Sequence, residues 1–248
     1  MNILVINPNI SEKCTDLIAA EARRAASPGT QLTVDTAPFG VEYIETRMES
    51  TIAGYATACV AAQHAGEYDG IVVAAFGDPG LMGLKELVDC PVVGMTEAAL
   101  ASACLLGQRF SIIAISDRIT AWYRECVERS HLSTRLASIR SLKDPLRDIG
   151  TVQEDFSDRL VELSHKAVSE DGADVIILAG APLAGLARNL AGQLPVPAVD
   201  GVSSAVRHCE SLIALNPGVA RQGSFARPPL KPNRGLPDKL AQLLNRTI

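Results

Sequence analysis

Short apolar runs alternate along the chain with longer stretches in which apolar positions recur every three or four residues. Ile3 to Ile6, Ile71 to Val73, Pro91 to Val93, Phe110 to Ile115, Val175 to Leu178 and Val196 to Val199 are apolar at successive positions save Ser111, so each run must be covered on both faces. That pattern predicts strands of a parallel sheet roofed by helices. Cys14 to Ala26 and Phe156 to Glu170 show helical spacing, and Ser11 stands ahead of the first as an N-cap. The expected fold class is α/β.

The strand-forming blocks occur twice. A shift of 109 positions lays NILVINPN (2–9) on SIIAISDR (111–118) and so places Asn7 on Ser116. A shift of 105 lays IVVAAFGDPGL (71–81) on IILAGAPLAGL (176–186), and one further residue brings PVVGMTEAAL (91–100) onto PAVDGVSSAV (197–206). Apolar strands resemble one another by chance, but a shared order at a near-constant offset favours duplication. We therefore expect two pseudo-symmetric lobes, each a parallel sheet flanked by helices. The first would hold residues 1–100 and the returning segment 207–248, the second residues 101–206. Ligands of open parallel sheets sit beyond the carboxyl ends of the strands, where loops and helix N-termini offer free N–H groups. The active-site cleft is expected between the lobes, and its matched halves suit an intermediate approached from both faces.

Composition narrows the partners. The 248 residues include 47% hydrophobic and 21% charged side chains, enough for real cores, with a formal charge of −5. That balance, with no run of Lys or Arg, argues against nucleic acid. No apolar stretch reaches the ~20 residues needed to cross a bilayer and the N-terminus lacks a signal-peptide pattern, so a cytoplasmic protein without membrane association is expected. The six cysteines form no CxxC pair, and no Walker loop, dinucleotide fingerprint or HExxH is present, so neither a metal nor any other cofactor is expected. The stretch 216–237, rich in Gly, Pro and basic residues, reads as an ordered arm before a final short helix. Arg221, Arg227, Lys231 and Arg234 could hold a phosphate there or simply face solvent.

Several residues carry candidate chemistry. Asn7 and Asn9 lie at the mouth of the first strand, where their amides can orient a small molecule or build the turn itself. Ala75, Phe76, Gly77, Asp78, Pro79 and Gly80 end one strand, and Gly180, Ala181 and Pro182 end its repeat partner; Gly77 and Gly80 would let the backbone approach a ligand and leave amides free for an oxyanion. Ser116 either binds substrate or caps the helix that follows, and Arg118 could hold a carboxylate or lie on the surface. His208 beside Cys209 invites a pairing that helix geometry opposes, since adjacent residues point in different directions.

The ordered set INPN, FGDPGL (76–81), PVVGMTEAA (91–99), RFSII (109–113), GADVIIL (172–178) and VPAVDGVSSAV (196–206) resembles hydantoin and allantoin racemases of the aspartate/glutamate racemase superfamily. The resemblance runs from about residue 2 to residue 215. It implies a cofactor-independent two-base reaction on a hydantoin-like small molecule, carried out by two cysteines in a homo-oligomer. It places the first cysteine immediately before FGDPG and the second after GADVIIL, where this chain has Ala75 and Gly180. Neither can transfer a proton. Pro182 and Leu183 also depart from the family's Gly-Met, which favours natural divergence over an engineered inactivation.

Two carboxylates are candidate catalytic replacements: Asp78 in the loop, and Glu45 in GVEYIETR, where the family has a side-chain-recognition segment. Loop capping for Asp78 and solvation for Glu45 are the plainer alternatives. Three functions follow. The first is a racemase-like isomerase binding a hydantoin-type ring or related small amide, with two-thiol racemisation not expected. The second is a cofactor-free lyase or hydrolase on a hydantoin- or thiohydantoin-like compound. The third is a non-catalytic ligand-binding homologue or an inactivated variant.

Overall fold

The computed structural model describes residues 1–143, 146 and 148–245. Positions 144, 145 and 147 of the expected second lobe, and 246–248 of the expected first, lie outside the described residues. Two four-stranded parallel sheets form the frame. In the first, β2 (Gln31–Thr36), β1 (Asn2–Asn7), β3 (Gly70–Val73) and β4 (Val92–Gly94) lie side by side in that order. In the second, β6 (Leu136–Ser141), β5 (Phe110–Ala114), β7 (Val175–Leu178) and β8 (Ala198–Asp200) repeat the arrangement. The α/β class and the two-lobed plan are as the sequence implied.

The six strands read from the sequence are present; β3, β4, β5 and β7 are buried throughout and β1 beyond Asn2, while β8 is half-buried at Ala198 and Val199. The edge strands β2 and β6 went unread: their QLTVDT and LASIRS are only half-buried and show no continuous apolar run. The helices are α1 (Glu12–Ala25), α2 (Arg47–Gln63), α3 (Leu81–Leu87), α4 (Met95–Leu106), α5 (Thr120–Arg129), α6 (Val152–Ser169), α7 (Leu186–Asn189), α8 (Gly201–Leu215) and α9 (Asp238–Asn245). Ser11 caps α1 as expected, its Oγ accepting from the Cys14 N–H at 3.4 Å. From 216 to 237 the chain runs as an arm without helix or strand; Arg227 on it is ion-paired with Asp89, while Arg221, Lys231 and Arg234 are exposed.

The hydrogen bonds correct the register of the repeat. Ile6 O accepts from Ala74 N at 2.8 Å, and Ile113 O accepts from Ala179 N at 2.9 Å. Asn7 O accepts from Ala37 N just as Ala114 O accepts from Leu142 N. The structural offset of β5 from β1 is thus 107 positions, two fewer than the sequence shift. A two-residue slip leaves every side chain on the same face of a strand, so an apolar pattern cannot detect it. Ser116 is consequently the counterpart of Asn9, and Asn7 is matched by Ala114.

The lobes are joined by more than the chain. Helix α4 leaves β4 and packs against β7 and β8, whereas α8 leaves β8 and packs against β3 and β4; the two helices also pack on each other. One apolar core accordingly runs through both lobes, from Ile3, Val5 and Phe76 to Tyr123, Ile177 and Val202. A second cluster on the far face of the first sheet includes Leu4, Val73 and Leu240, the last docking α9.

Candidate functional site

At the carboxyl end of β1, Asn7 is fully buried and its amide is committed to the turn. Its Nδ2 donates to Asn9 Oδ1 at 3.0 Å, to Ser11 O at 3.2 Å and to Thr15 Oγ1 at 2.9 Å. Asn9 Oδ1 in turn accepts from Ser11 N at 2.8 Å. In the other lobe Ser116 Oγ accepts from Arg118 N at 3.3 Å, the same two-residue turn at the structurally matched position. These side chains shape the strand ends, and Ser116 caps the short 3₁₀ turn 117–119.

The 75–80 loop is pinned from α4. Gly77 N donates to Thr96 Oγ1 at 2.6 Å, so this amide is not free for a ligand as the sequence suggested. Gly77 holds φ +108, and a Cβ there would lie 2.1 Å from Cζ2 of Trp122, whose ring covers this stretch of backbone. Gly77→Ala combines strain with a clash against a buried indole and should cost about 2–3 kcal/mol. Urea unfolding checks this, and a loss under 0.5 kcal/mol, roughly the surface-substitution range, would show that the loop yields.

Asp78, half-buried with φ +51, turns its carboxylate onto the N-terminus of α4. Oδ1 accepts from Thr96 N at 2.7 Å and Oδ2 from Glu97 N at 3.0 Å. Burial pushes its pKa up to about 7; the Thr96 N–H offsets part of the rise and the charge of Glu97 adds to it. The group is thus a helix cap that also titrates near neutrality. By the shift of 105 its counterpart is Leu183, fully buried and apolar.

The 180 loop meets the 75 loop through α5. Gly180 has φ +109 and ψ 146, and a Cβ on it would stand 3.9 Å from Ile115 Cδ1 and 4.0 Å from Tyr123 Oη. The Tyr123 ring lies 4.5 Å from that of Phe76, next to Ala75, and 5.8 Å from Trp122. Ala75, Phe76 and Ala181 belong to one core with these aromatics, so both strand ends converge on Tyr123. Pro182 is buried, and its carbonyl accepts from Gln153 Nε2 at 2.8 Å.

The 37–46 loop of the first lobe closes the junction. Glu45 is half-buried, and its backbone N–H donates to Glu49 Oε2 at 2.8 Å; Thr46 and Glu49 form a capping box on α2. Glu49 is held below the usual carboxylate range, because these N–H donors outweigh its desolvation, and the charge of Arg118 from the other lobe contributes. Arg47 of α2 is ion-paired with Glu125 of α5 across the junction. Tyr43, which sequence reasoning missed together with Trp122 and Tyr123, carries the one buried side-chain oxygen without a partner among the described residues. The signal available for α5 was WY in a chain with a single Trp, at core-like spacing after the matched strand end.

Cys14 and Cys126 are buried in the same core as these tyrosines, and burial pushes both up to about 11, which favours the thiol over the thiolate near neutral pH. His208 Nε2 lies 3.0 Å from Ser102 Oγ rather than on Cys209. Among the described residues no group of His, Cys, Asp and Glu could hold a metal ion, and no helix is long and apolar enough to cross a membrane.

A profile described as Asp/Glu/Hydantoin racemase matches residues 3–209. The chain is 36% identical over 233 residues to a hydantoin racemase of Paenarthrobacter aurescens, covering 92% of this chain and 98% of that protein. Its fold superposes on an allantoin racemase from Klebsiella pneumoniae with a TM-score of 0.91 at 33% identity, covering 97% and 98% of the two chains. The allantoin racemase of Pseudomonas fluorescens gives 0.88 at 33% identity, over 95% of this chain and all of that one.

Proposed function

The chain belongs to the Asp/Glu/hydantoin racemase family, and from that premise we propose that it binds a hydantoin-type ring, or a related small cyclic amide, where the 75 and 180 loops meet. The observation that carries this reading is the convergence of both strand ends on one buried residue, Tyr123. The relatives' names supply the ligand class, since one is a hydantoin racemase and two are allantoin racemases. Proton exchange between two thiols is not part of the proposal. Ala75 and Gly180 carry no acid or base, and Cys14 and Cys126 stay protonated.

One asymmetry favours a second reading. A reaction that inverts a carbon needs matched proton handling on both faces, yet the position that the shift of 105 matches to Asp78 is the apolar Leu183. A single carboxylate with a pKa near neutrality suits one-sided chemistry, in which a bond at the ring is cleaved or hydrolysed and one face alone receives a proton. Glu45 is the alternative base.

Proton NMR in deuterium oxide with a panel of 5-substituted hydantoins, run alongside polarimetry and assays for released ammonia, carbon dioxide and sulfide, separates the readings. We expect saturable binding without rapid loss of optical rotation. Fast racemisation by the unaltered chain would overturn the thiol argument. Product release would select the cleavage reading, and failure of every hydantoin to bind would remove the ligand class.

A further inference from the structure

The junction contains two phenols, one from each lobe, that the family's thiol chemistry does not use. Tyr43 lies in the 37–46 loop and packs against the core that holds Phe76, Tyr123 and Cys14. Its Oη is buried and meets no hydrogen-bonding group of the protein. A buried hydroxyl without a partner is destabilising, and such a group is retained where something other than the protein completes it. Tyr123, on α5, is 3% exposed and places its Oη 4.0 Å from the Cβ position of residue 180. We propose that Tyr43 and Tyr123 form a pair of phenolic donors that grips the carbonyl oxygens of a cyclic imide in the junction, a role that rests on the hydantoin reading above.

The chemistry of both groups fits donation and excludes the role of base. Desolvation holds each phenol well above its ordinary pKa, and the surrounding acids add to the effect: Glu45, Cys14 and Glu49 for Tyr43, and Tyr43, Cys126, Asp78 and Glu45 for Tyr123. Both therefore favour the protonated, donating form, and a carbonyl oxygen is the kind of acceptor that the Tyr43 hydroxyl lacks. An imide presents two carbonyl oxygens on either side of one N–H, so one ring can meet a donor from each lobe. Ligand binding would then fasten the first lobe's loop to α5 of the second, beside the Arg47–Glu125 ion pair.

Titration calorimetry on the full chain with 5-methylhydantoin and with succinimide, an imide without the hydantoin ring's second nitrogen, tests the pair. Tyr43→Phe and Tyr123→Phe should each raise Kd roughly tenfold, the size of one lost neutral hydrogen bond whose acceptor is left unpaired. Tyr43→Phe should leave Tm unchanged or higher, because it removes an unpartnered hydroxyl; a fall in Tm that tracks the loss of binding marks a structural role and overturns the proposal. Equal affinity of all three proteins for 5-methylhydantoin overturns the pair and leaves the hydantoin reading standing. Binding of succinimide alone, weakened in both variants, supports the pair and overturns the hydantoin ring as the ligand in favour of a related cyclic amide. An unaltered chain that binds neither compound overturns both.

Discussion

Ala75→Cys is expected to give slow deuterium exchange at the ring carbon of a 5-substituted hydantoin without inversion, roughly a hundredfold or more above the unaltered chain. A positioned acid–base group contributes about 10²- to 10⁴-fold, and one thiol serves one face only. Inversion requires a second thiol at position 180, where the obstacle is the backbone. A Cβ there meets nothing closer than Pro182 Cδ at 3.5 Å, which is ordinary contact, but φ +109 with ψ 146 is a conformation that side chains of L-residues rarely adopt. Holding a cysteine in it costs about 1–3 kcal/mol. Pro182 stiffens the same turn and restricts Ala181 ahead of it. Ala75→Cys with Gly180→Cys should therefore fold with reduced stability and racemise poorly, and adding Pro182→Gly should recover both. Circular dichroism of the substrate follows inversion and NMR follows exchange. If Ala75→Cys binds a hydantoin yet exchanges no proton, the ring does not lie over this loop, and the proposed site is wrong.

How far the sequence led depends on the range of the interaction in question. Strands apolar on both faces declared themselves, and so did the duplication, because β1, β3 and β4 recur in order as β5, β7 and β8. The edge strands β2 and β6 did not, being half-buried and mixed in polarity. The two-residue slip in the first repeat block lay beyond any pattern of period two, and it misassigned Ser116 to Asn7. Asp78 was legible as an unusual acid in a glycine turn. That its carboxylate would reach the amides of Thr96 and Glu97 was not, because nothing local to GDPG announces a helix beginning at Met95. The same holds for Tyr43 and Tyr123, whose spacing is that of core residues. What makes them candidates is a missing partner in one case and a neighbour from a distant loop in the other, and both are facts of tertiary packing.

Titration of Asp78 should make the protein lose stability as pH rises from about 4 to about 7. The folded chain holds this proton to about 7, whereas the unfolded chain releases it near the ordinary 3.8. Between those values the folded state binds more protons, so the contribution is fully present below 3.8 and lost as pH passes through about 7. The rise corresponds to up to about 4 kcal/mol. His64 adds a loss of the same sign: despite its own desolvation, Asp35 and Glu67 hold its pKa above the usual imidazole value. The informative quantity is therefore the difference between the unaltered chain and Asp78→Asn, in which the His64 contribution cancels. Asparagine keeps a carbonyl for one of the two helix N–H groups and does not titrate, so the variant should gain on the unaltered chain steadily from pH 4 to pH 7, as read by urea unfolding at fixed ionic strength. A difference that does not change with pH would show that the carboxylate ionises normally beneath its helix. Should Asp78 also serve as the base, turnover must climb through the same interval in which stability declines, because the ionised form that burial disfavours is the form that can accept a proton.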